Sequence, residues 1–80
     1  MIVKKLKLNL ERIGSAEASA FVVAANRYEC DVLLINGNKK ANGKSIMGML
    51  SLTLKQGDAF IISIDGKDEK EACRELTALL

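Results

Sequence analysis

The segment NGNKKANGKSIMG, residues 36–48, contains the arrangement of residues in this chain that comes closest to a chemical motif. Gly43, Lys44 and Ser45 match the end of a phosphate-binding loop, whose backbone amides surround phosphate and whose hydroxyl binds magnesium. That loop has four residues between its two glycines, whereas five residues separate Gly37 from Gly43 here. The extra residue disrupts the convergence of consecutive amides on one anion. The spacing therefore favours an ordinary turn followed by a helix, with Ser45 as the capping residue.

The sequence offers little support for a metal site, a cofactor site or a nucleic-acid surface. The chain has no histidine, and its two cysteines, Cys30 and Cys73, are not at a metal-ligand spacing. We therefore expect no metal and no cofactor, and we expect both cysteines to be free thiols in a reducing compartment. The formal charge of +2 comes from mixed signs without a long run of either. This distribution argues against a surface that binds nucleic acid directly.

The N-terminal half begins with the pattern of a strand and a helix. Residues 2–8 alternate between two faces, as expected of a strand with one side buried. Ser15 follows Gly14 and is predicted to cap a helix that continues to Tyr28. The buried stripe of this helix is expected to contain Ala18, Phe21, Val22 and Ala25.

The middle of the chain predicts a hairpin and a short helix. Residues 31–35 are aliphatic and β-branched, and residues 39–42 can return beside them as an edge strand. Asn36-Gly37 is a favoured pair for the tight turn between two such strands. The helix over residues 46–52 is expected to have only a couple of turns, because Gly48 lowers its helix propensity.

The C-terminal part predicts a turn at residues 56–58, a strand over 59–65 and a final helix. Phe60, Ile62 and Ile64 alternate with residues of the other face of the strand. Asp68 and Glu71 have the spacing of a capping box at the start of the helix. The apolar stripe that follows is Ala72, Cys73, Leu76, Leu79 and Leu80.

Together these elements make one domain, residues 1–80, in the order β, α, β, β, α, β, α. This order predicts an α+β fold, an open-faced sandwich in which a four-stranded antiparallel sheet carries three helices on one face. Lysines interrupt the N-terminal apolar residues too often for a secretory signal, and no segment is long enough to span a membrane. We expect a cytoplasmic protein without a membrane partner, and the sequence favours a monomer.

The element order and several segments resemble the HPr family, the small phosphocarriers of the bacterial sugar phosphotransferase system. The likeness rests on KSIMGMLSL at 44–52, QGD at 56–58, DGKDEKEA at 65–72 and the Phe21-Val22 pair in the first helix. It covers essentially the whole chain. The resemblance implies the HPr-like open-faced sandwich that the periodicity also predicts.

The active centre of that family carries a histidine, an arginine two residues later and then a proline. Alignment on Phe21-Val22 places Gly14, Ala16 and Glu17 at these three positions. Phosphoryl transfer through such a carrier needs an imidazole nucleophile, and this chain has none. The resemblance therefore implies a protein that is not an enzyme. A carrier using another nucleophile, such as Ser15, remains an alternative, but a serine phosphoester is far less reactive.

The resemblance also implies a role for Ser45, because the matching serine of many relatives is phosphorylated by an ATP-dependent kinase. The phosphorylated form then acts as corepressor of a LacI-type repressor, and Crh-like members keep this serine while lacking the histidine. The expected function is thus regulation of carbon metabolism through protein binding. The expected contact residues around the serine are Lys44, Ile46, Met47 and Met49, although Met49 also fits the core. The alternative is an unmodified interaction domain in which Ser45 is only a helix cap.

Overall fold

The computed structural model describes all 80 residues, which form four strands and three helices in the predicted order. The strands are β1 (Ile2–Lys7), β2 (Asp31–Asn36), β3 (Lys39–Asn42) and β4 (Ala59–Asp65). The helices are α1 (Ser15–Ala25), α2 (Ile46–Ser51) and α3 (Glu69–Ala78). No helix has the length and apolar character needed to cross a membrane.

All four strands join one antiparallel sheet in the order β1-β4-β2-β3. Phe60, Ile62 and Ile64 point from β4 into the core, while Ile61 and Ser63 lie half-exposed on the opposite face. The helices pack against the inner face only, which confirms the predicted open-faced α+β sandwich.

The core is entirely apolar, and no polar or charged residue is fully buried. All four residues predicted for the stripe of α1 are buried, and so is Ala24. The stripe of α3 is confirmed with one correction: Leu79 is exposed at the surface, whereas Leu80 is buried. Both cysteines are free and buried, as expected of small apolar side chains in a core.

The predicted start and end of α1 are both corrected by the structure. Gly14 occupies the cap position, and Ser15 is the first helical residue and makes no capping hydrogen bond. The amide of Gly14 is instead satisfied by the Glu17 carboxylate, which accepts its hydrogen bond at 3.0 Å. The helix ends at Ala25, before the predicted Tyr28. The C-cap is Asn26, whose side chain and backbone amide both donate to the carbonyl of Val22. The next two amides, of Arg27 and Tyr28, bond three residues back to Ala24 and Ala25, so the α-helical pattern ends there.

The predicted capping box of α3 is also wrong. Asp68 does occupy the cap position, but its carboxylate accepts hydrogen bonds from the amides of Glu29 and Cys30, at 2.9 and 3.1 Å. It thereby fixes the segment that leads into β2 to the start of α3. The amide of Gly66 is satisfied by Glu69, and Glu71 takes no part.

The predicted hairpin between β2 and β3 is present, with Gly37 and Asn38 as its two loop residues. The turn begins one residue later than predicted, because Asn36 still pairs with Lys39. Gly37 has φ +60°, a conformation that the first position of the favoured hairpin turns requires.

Candidate functional site

Ser45 lies between β3 and α2 and caps the short helix, as predicted. Its backbone is extended, and its hydroxyl accepts a hydrogen bond from the amide of Gly48 at 3.2 Å. The side chain is half-buried, so the hydroxyl is reachable at the edge of the helix. The hydroxyl donates to no protein group, and no base lies within hydrogen-bond distance to activate it. This geometry suits a hydroxyl that is modified by another protein, not a nucleophile of its own reaction.

Gly48 serves this arrangement through its lack of a side chain. A Cβ there would lie 3.3 Å from the carbonyl oxygen of Asn42 and 3.4 Å from the Cβ of Ser45. The glycine therefore lets α2 approach the end of β3 closely. From the sequence, Gly48 was expected only to weaken the helix, and this packing role was not predicted.

The loop before Ser45 is fixed by packing and leaves no phosphate cradle. The amide of Gly43 donates to the carbonyl of Val32 at 2.8 Å, and the amide of Lys44 donates to the Asn42 side chain at 2.9 Å. A Cβ on Gly43 would lie 2.5 Å from Val32 and 3.0 Å from the ring of Phe21. Gly43 is thus required by close packing, and its amide is not available to an anion.

Lys44 is attached to the body of the domain. Its ammonium group donates to the carbonyl of Tyr28 at 2.7 Å, and the side chain is half-buried. The Tyr28 hydroxyl in turn donates to Glu75 of α3, which also pairs with Arg27. The bond to Glu75 raises the pKa of Tyr28, with burial as a smaller cause. Lys44 therefore anchors the segment that carries Ser45 to the α1–β2 connection.

The residues expected to meet a partner divide into exposed and buried ones. Ile46 is 43% exposed and Met47 is 80% exposed. Met49 is fully buried, so its predicted role in partner binding is wrong. Its side chain fills the core beneath α2, which is the other assignment that the sequence allowed.

Leu50 completes the exposed surface, since the residue is 37% exposed. Leu50 was not predicted as a contact residue, although it lies four residues after Ile46 and therefore on the same helix face. We call Ile46, Met47 and Leu50 the α2 apolar patch. The patch begins directly beside Ser45.

The three positions that the resemblance aligns with the family's active centre lie at the start of α1. Gly14 offers only backbone atoms, and Ala16 is exposed with a methyl side chain. Glu17 is exposed and its carboxylate is bound to the amide of Gly14. A shallow depression runs along this segment, lined by Glu11, Arg12 and Ser15 as well as these three residues. None of its side chains is an imidazole, and the Ser15 hydroxyl makes no hydrogen bond to Glu11 or Glu17.

Comparison with known proteins gives a consistent result. The family described as "PTS HPr component phosphorylation site" matches residues 13–80. The HPr-like protein Crh of Bacillus subtilis is 38% identical over 79 residues, which cover 98% of this chain and 93% of the relative. Both matches confirm the resemblance drawn from the sequence.

Solved structures of relatives share the fold. The phosphocarrier protein HPr of Bacillus anthracis superposes with a TM-score of 0.92 at 32% identity, covering 99% of this chain and 95% of that one. The crystal structure of Bacillus subtilis Crh, described as a dimer with a swapping domain, gives a TM-score of 0.79 at 38% identity. It covers 99% of this chain and 92% of the relative.

Proposed function

Because the chain belongs to the HPr family, we propose that it is a regulatory member that does not carry phosphoryl groups, and that phosphorylation of Ser45 switches it. In this proposal it acts by binding other proteins, as a cofactor of catabolite repression similar to Crh. Its partners are a serine kinase and a LacI-type repressor.

The absence of histidine is the observation that carries this proposal. A phosphocarrier needs a nucleophile whose phosphorylated form passes the group onward, and an imidazole nitrogen provides that reactivity. The matching position is Gly14, which has no side chain at all. Serine phosphate is too stable for the same relay. We therefore assign phosphorylation to the hydroxyl of Ser45 and not to the active-centre position.

The surroundings of Ser45 support the modification. The hydroxyl is half-buried at the rim of the helix, with its donor capacity unused. A phosphate there adds close to two negative charges next to the α2 apolar patch. The new charge and the exposed Ile46 and Met47 form one continuous surface for a partner. Methionine suits such a surface because its flexible side chain adapts to different contacts.

The cognate serine kinase with ATP tests the proposal directly. Intact-mass measurement is expected to show one added phosphate on the wild-type protein and none on Ser45→Ala. Ser51→Ala is the matched control, since Ser51 is an exposed serine of the same helix whose hydroxyl bonds to a backbone carbonyl. Its phosphorylation should equal that of the wild type.

Two results of the kinase experiment would reject the proposed switch. If the kinase adds no phosphate to the wild type, or adds it equally to Ser45→Ala, the switch at Ser45 is rejected. Ser45 is then a structural cap in an unmodified interaction domain.

A further inference from the structure

Strand β1 forms one edge of the sheet, and its outer side has no partner within the domain. It pairs only with β4, and no other segment forms a backbone hydrogen bond to residues 2–7. In an edge strand, alternate residues direct their N–H and C=O groups away from the paired neighbour, where a further strand can bind them. β1 is also the longer edge, with six residues against four in β3.

An open depression of about 440 Å³ lies between β1 and α3 and combines basic groups with apolar ones. Its lining residues are Ile2, Lys4, Lys70, Cys73, Arg74 and Thr77. Lys4 lies on the helical side of the sheet, because its register partner is the buried Ile62. Lys70 and Arg74 are four residues apart and so share one flank of α3. Three cations therefore surround one concave surface beside the free edge of β1.

The acidic residues of α3 lie away from this depression. Glu75 is on the flank toward α1, where it binds Arg27 and the hydroxyl of Tyr28. Glu71 lies four residues before Glu75 and shares that flank. Glu69, at the start of the helix, binds the N-terminal ammonium group at 3.0 Å. The flank of α3 that lies toward β1 is left basic.

The cations along this edge are not neutralised within the domain. The alternation of β1 places Lys5 and Lys7 on the side of the sheet opposite to Lys4. Together with Lys70 and Arg74 they make five exposed cations beside one strand. The ion pairs of the domain use only the N-terminus and another arginine, and none of the five side chains donates a hydrogen bond. The edge therefore presents unpaired positive charge on both sides of unpaired backbone groups.

We propose that the edge of β1 binds an extended acidic segment of another protein, which adds a fifth strand to the sheet. The backbone of that segment pairs with the outer N–H and C=O groups of β1. Its acidic side chains meet the cations of the depression on one side and Lys5 and Lys7 on the other. The site lies at the opposite edge of the sheet from β3, which leads to Ser45, and so is separate from the proposed switch.

The same charges argue against two other occupants. A second copy of β1 would bring lysines against lysines, and like charges on neighbouring strands are destabilising. Single-stranded nucleic acid binds largely by stacking its bases on aromatic side chains. The three aromatic residues of this chain are buried or half-buried, and none lines the depression.

Fluorescence anisotropy with a synthetic peptide tests the proposal. The probe is a fluorescein-labelled octapeptide with the repeat Glu-Glu-Val-Val, which presents glutamates on both sides of a strand. The wild type is expected to bind it saturably, and a peptide with lysine in place of glutamate should not bind. A peptide with all backbone amides methylated keeps the charge but lacks the donors that pair with β1, so it should bind at least about tenfold more weakly.

Charge reversal places the peptide on this edge. Lys4→Glu, and the double variant Lys70→Glu with Arg74→Glu, should each weaken binding by at least about tenfold. Lys40→Glu is the matched control, since Lys40 is an exposed lysine on the other edge strand, and it should bind like the wild type. Thermal melts identify a variant that has not folded, and the α3 double variant keeps the test open if Lys4→Glu fails.

Hydrogen exchange then locates the added strand, because bound peptide should slow the exchange of the outward amides of β1 and leave those of β3 unchanged. The proposal is overturned if the wild type binds no peptide at protein concentrations up to about 1 mM. Equal binding of the methylated peptide, or equal weakening by Lys40→Glu and Lys4→Glu, also overturns it. An oligothymidine of the same length that binds more tightly than the peptide would assign the edge to nucleic acid instead.

Discussion

Ser45 has a structural task that is separate from its proposed modification. Its hydroxyl accepts a hydrogen bond from the amide of Gly48, which would otherwise lack a partner in the first turn of α2. Ser45→Ala is therefore expected to lower the free energy of unfolding by about 0.5–2 kcal/mol, whereas Ser45→Asp, which also caps, should stay near the wild type. Urea denaturation measures both. Equal stability of Ser45→Ala and the wild type would show that the cap contributes nothing in solution.

Asp68 makes the stability of the fold depend on pH. The amide of Glu29, followed by that of Cys30, holds the pKa of the Asp68 carboxyl below its ordinary value, against the opposing effect of desolvation. Because the pKa is lower in the folded state, the ionised carboxylate stabilises the fold above the ordinary aspartate pKa of about 3.9. This contribution is lost as the pH falls through the folded-state pKa.

The variant Asp68→Asn tests this dependence. It should be less stable than the wild type at neutral pH, and the difference should shrink as the pH falls below about 3.9. Urea denaturation at a series of pH values gives the comparison. Asp31→Asn is the control, because Asp31 is exposed and its side chain makes no hydrogen bond or ion pair in the fold. A difference that stays constant with pH would contradict the assignment.

At the scale of the elements, the end of α2 contains an unfavourable residue. Thr53 follows the helix with φ +51°, a conformation that β-branched residues rarely adopt and that glycine adopts at little cost. Thr53→Gly is therefore expected to raise the free energy of unfolding by about 1 kcal/mol, despite the loss of the Thr53 hydroxyl bond to Leu52. Thermal denaturation measures the change. A lower melting temperature for Thr53→Gly would contradict this explanation.

The elements were predictable where local periodicity decides them. The alternation in β4 and the stripe of α1 depend only on which residues need burial, so both were confirmed. The cap of α3 was not predictable, because Asp68 binds amides that lie far away in the sequence. The same limit applies to the site: the cap at Ser45 is local and was found, while the burial of Met49 and the attachment of Lys44 to Tyr28 depend on tertiary packing.

At the scale of the whole molecule, the helical face and the outer face of the sheet offer separate surfaces. The proposed function uses the α2 apolar patch, which is carried by the helical face.

Leu50 provides a test of the α2 apolar patch. Leu50→Glu should weaken the binding of the phosphorylated protein to its repressor partner by about tenfold or more, because a charge replaces apolar contact area. Its stability should change little, since the side chain is exposed. Leu79→Glu is the matched control, because Leu79 is equally exposed at the end of α3. Calorimetric titration of the repressor with both variants gives the affinities. Unchanged binding by Leu50→Glu would exclude the patch from the interface.

The choice between carrier and regulator is tested most directly by offering the protein both phosphate donors. The purified chain is incubated with ATP and the cognate serine kinase in one reaction, and with phosphoenolpyruvate and enzyme I in another. Intact mass followed by peptide mapping locates any phosphate. The account predicts a single phosphate on Ser45 in the first reaction and none in the second. Phosphate accepted from phosphoenolpyruvate, together with an unmodified Ser45 in the kinase reaction, would contradict it.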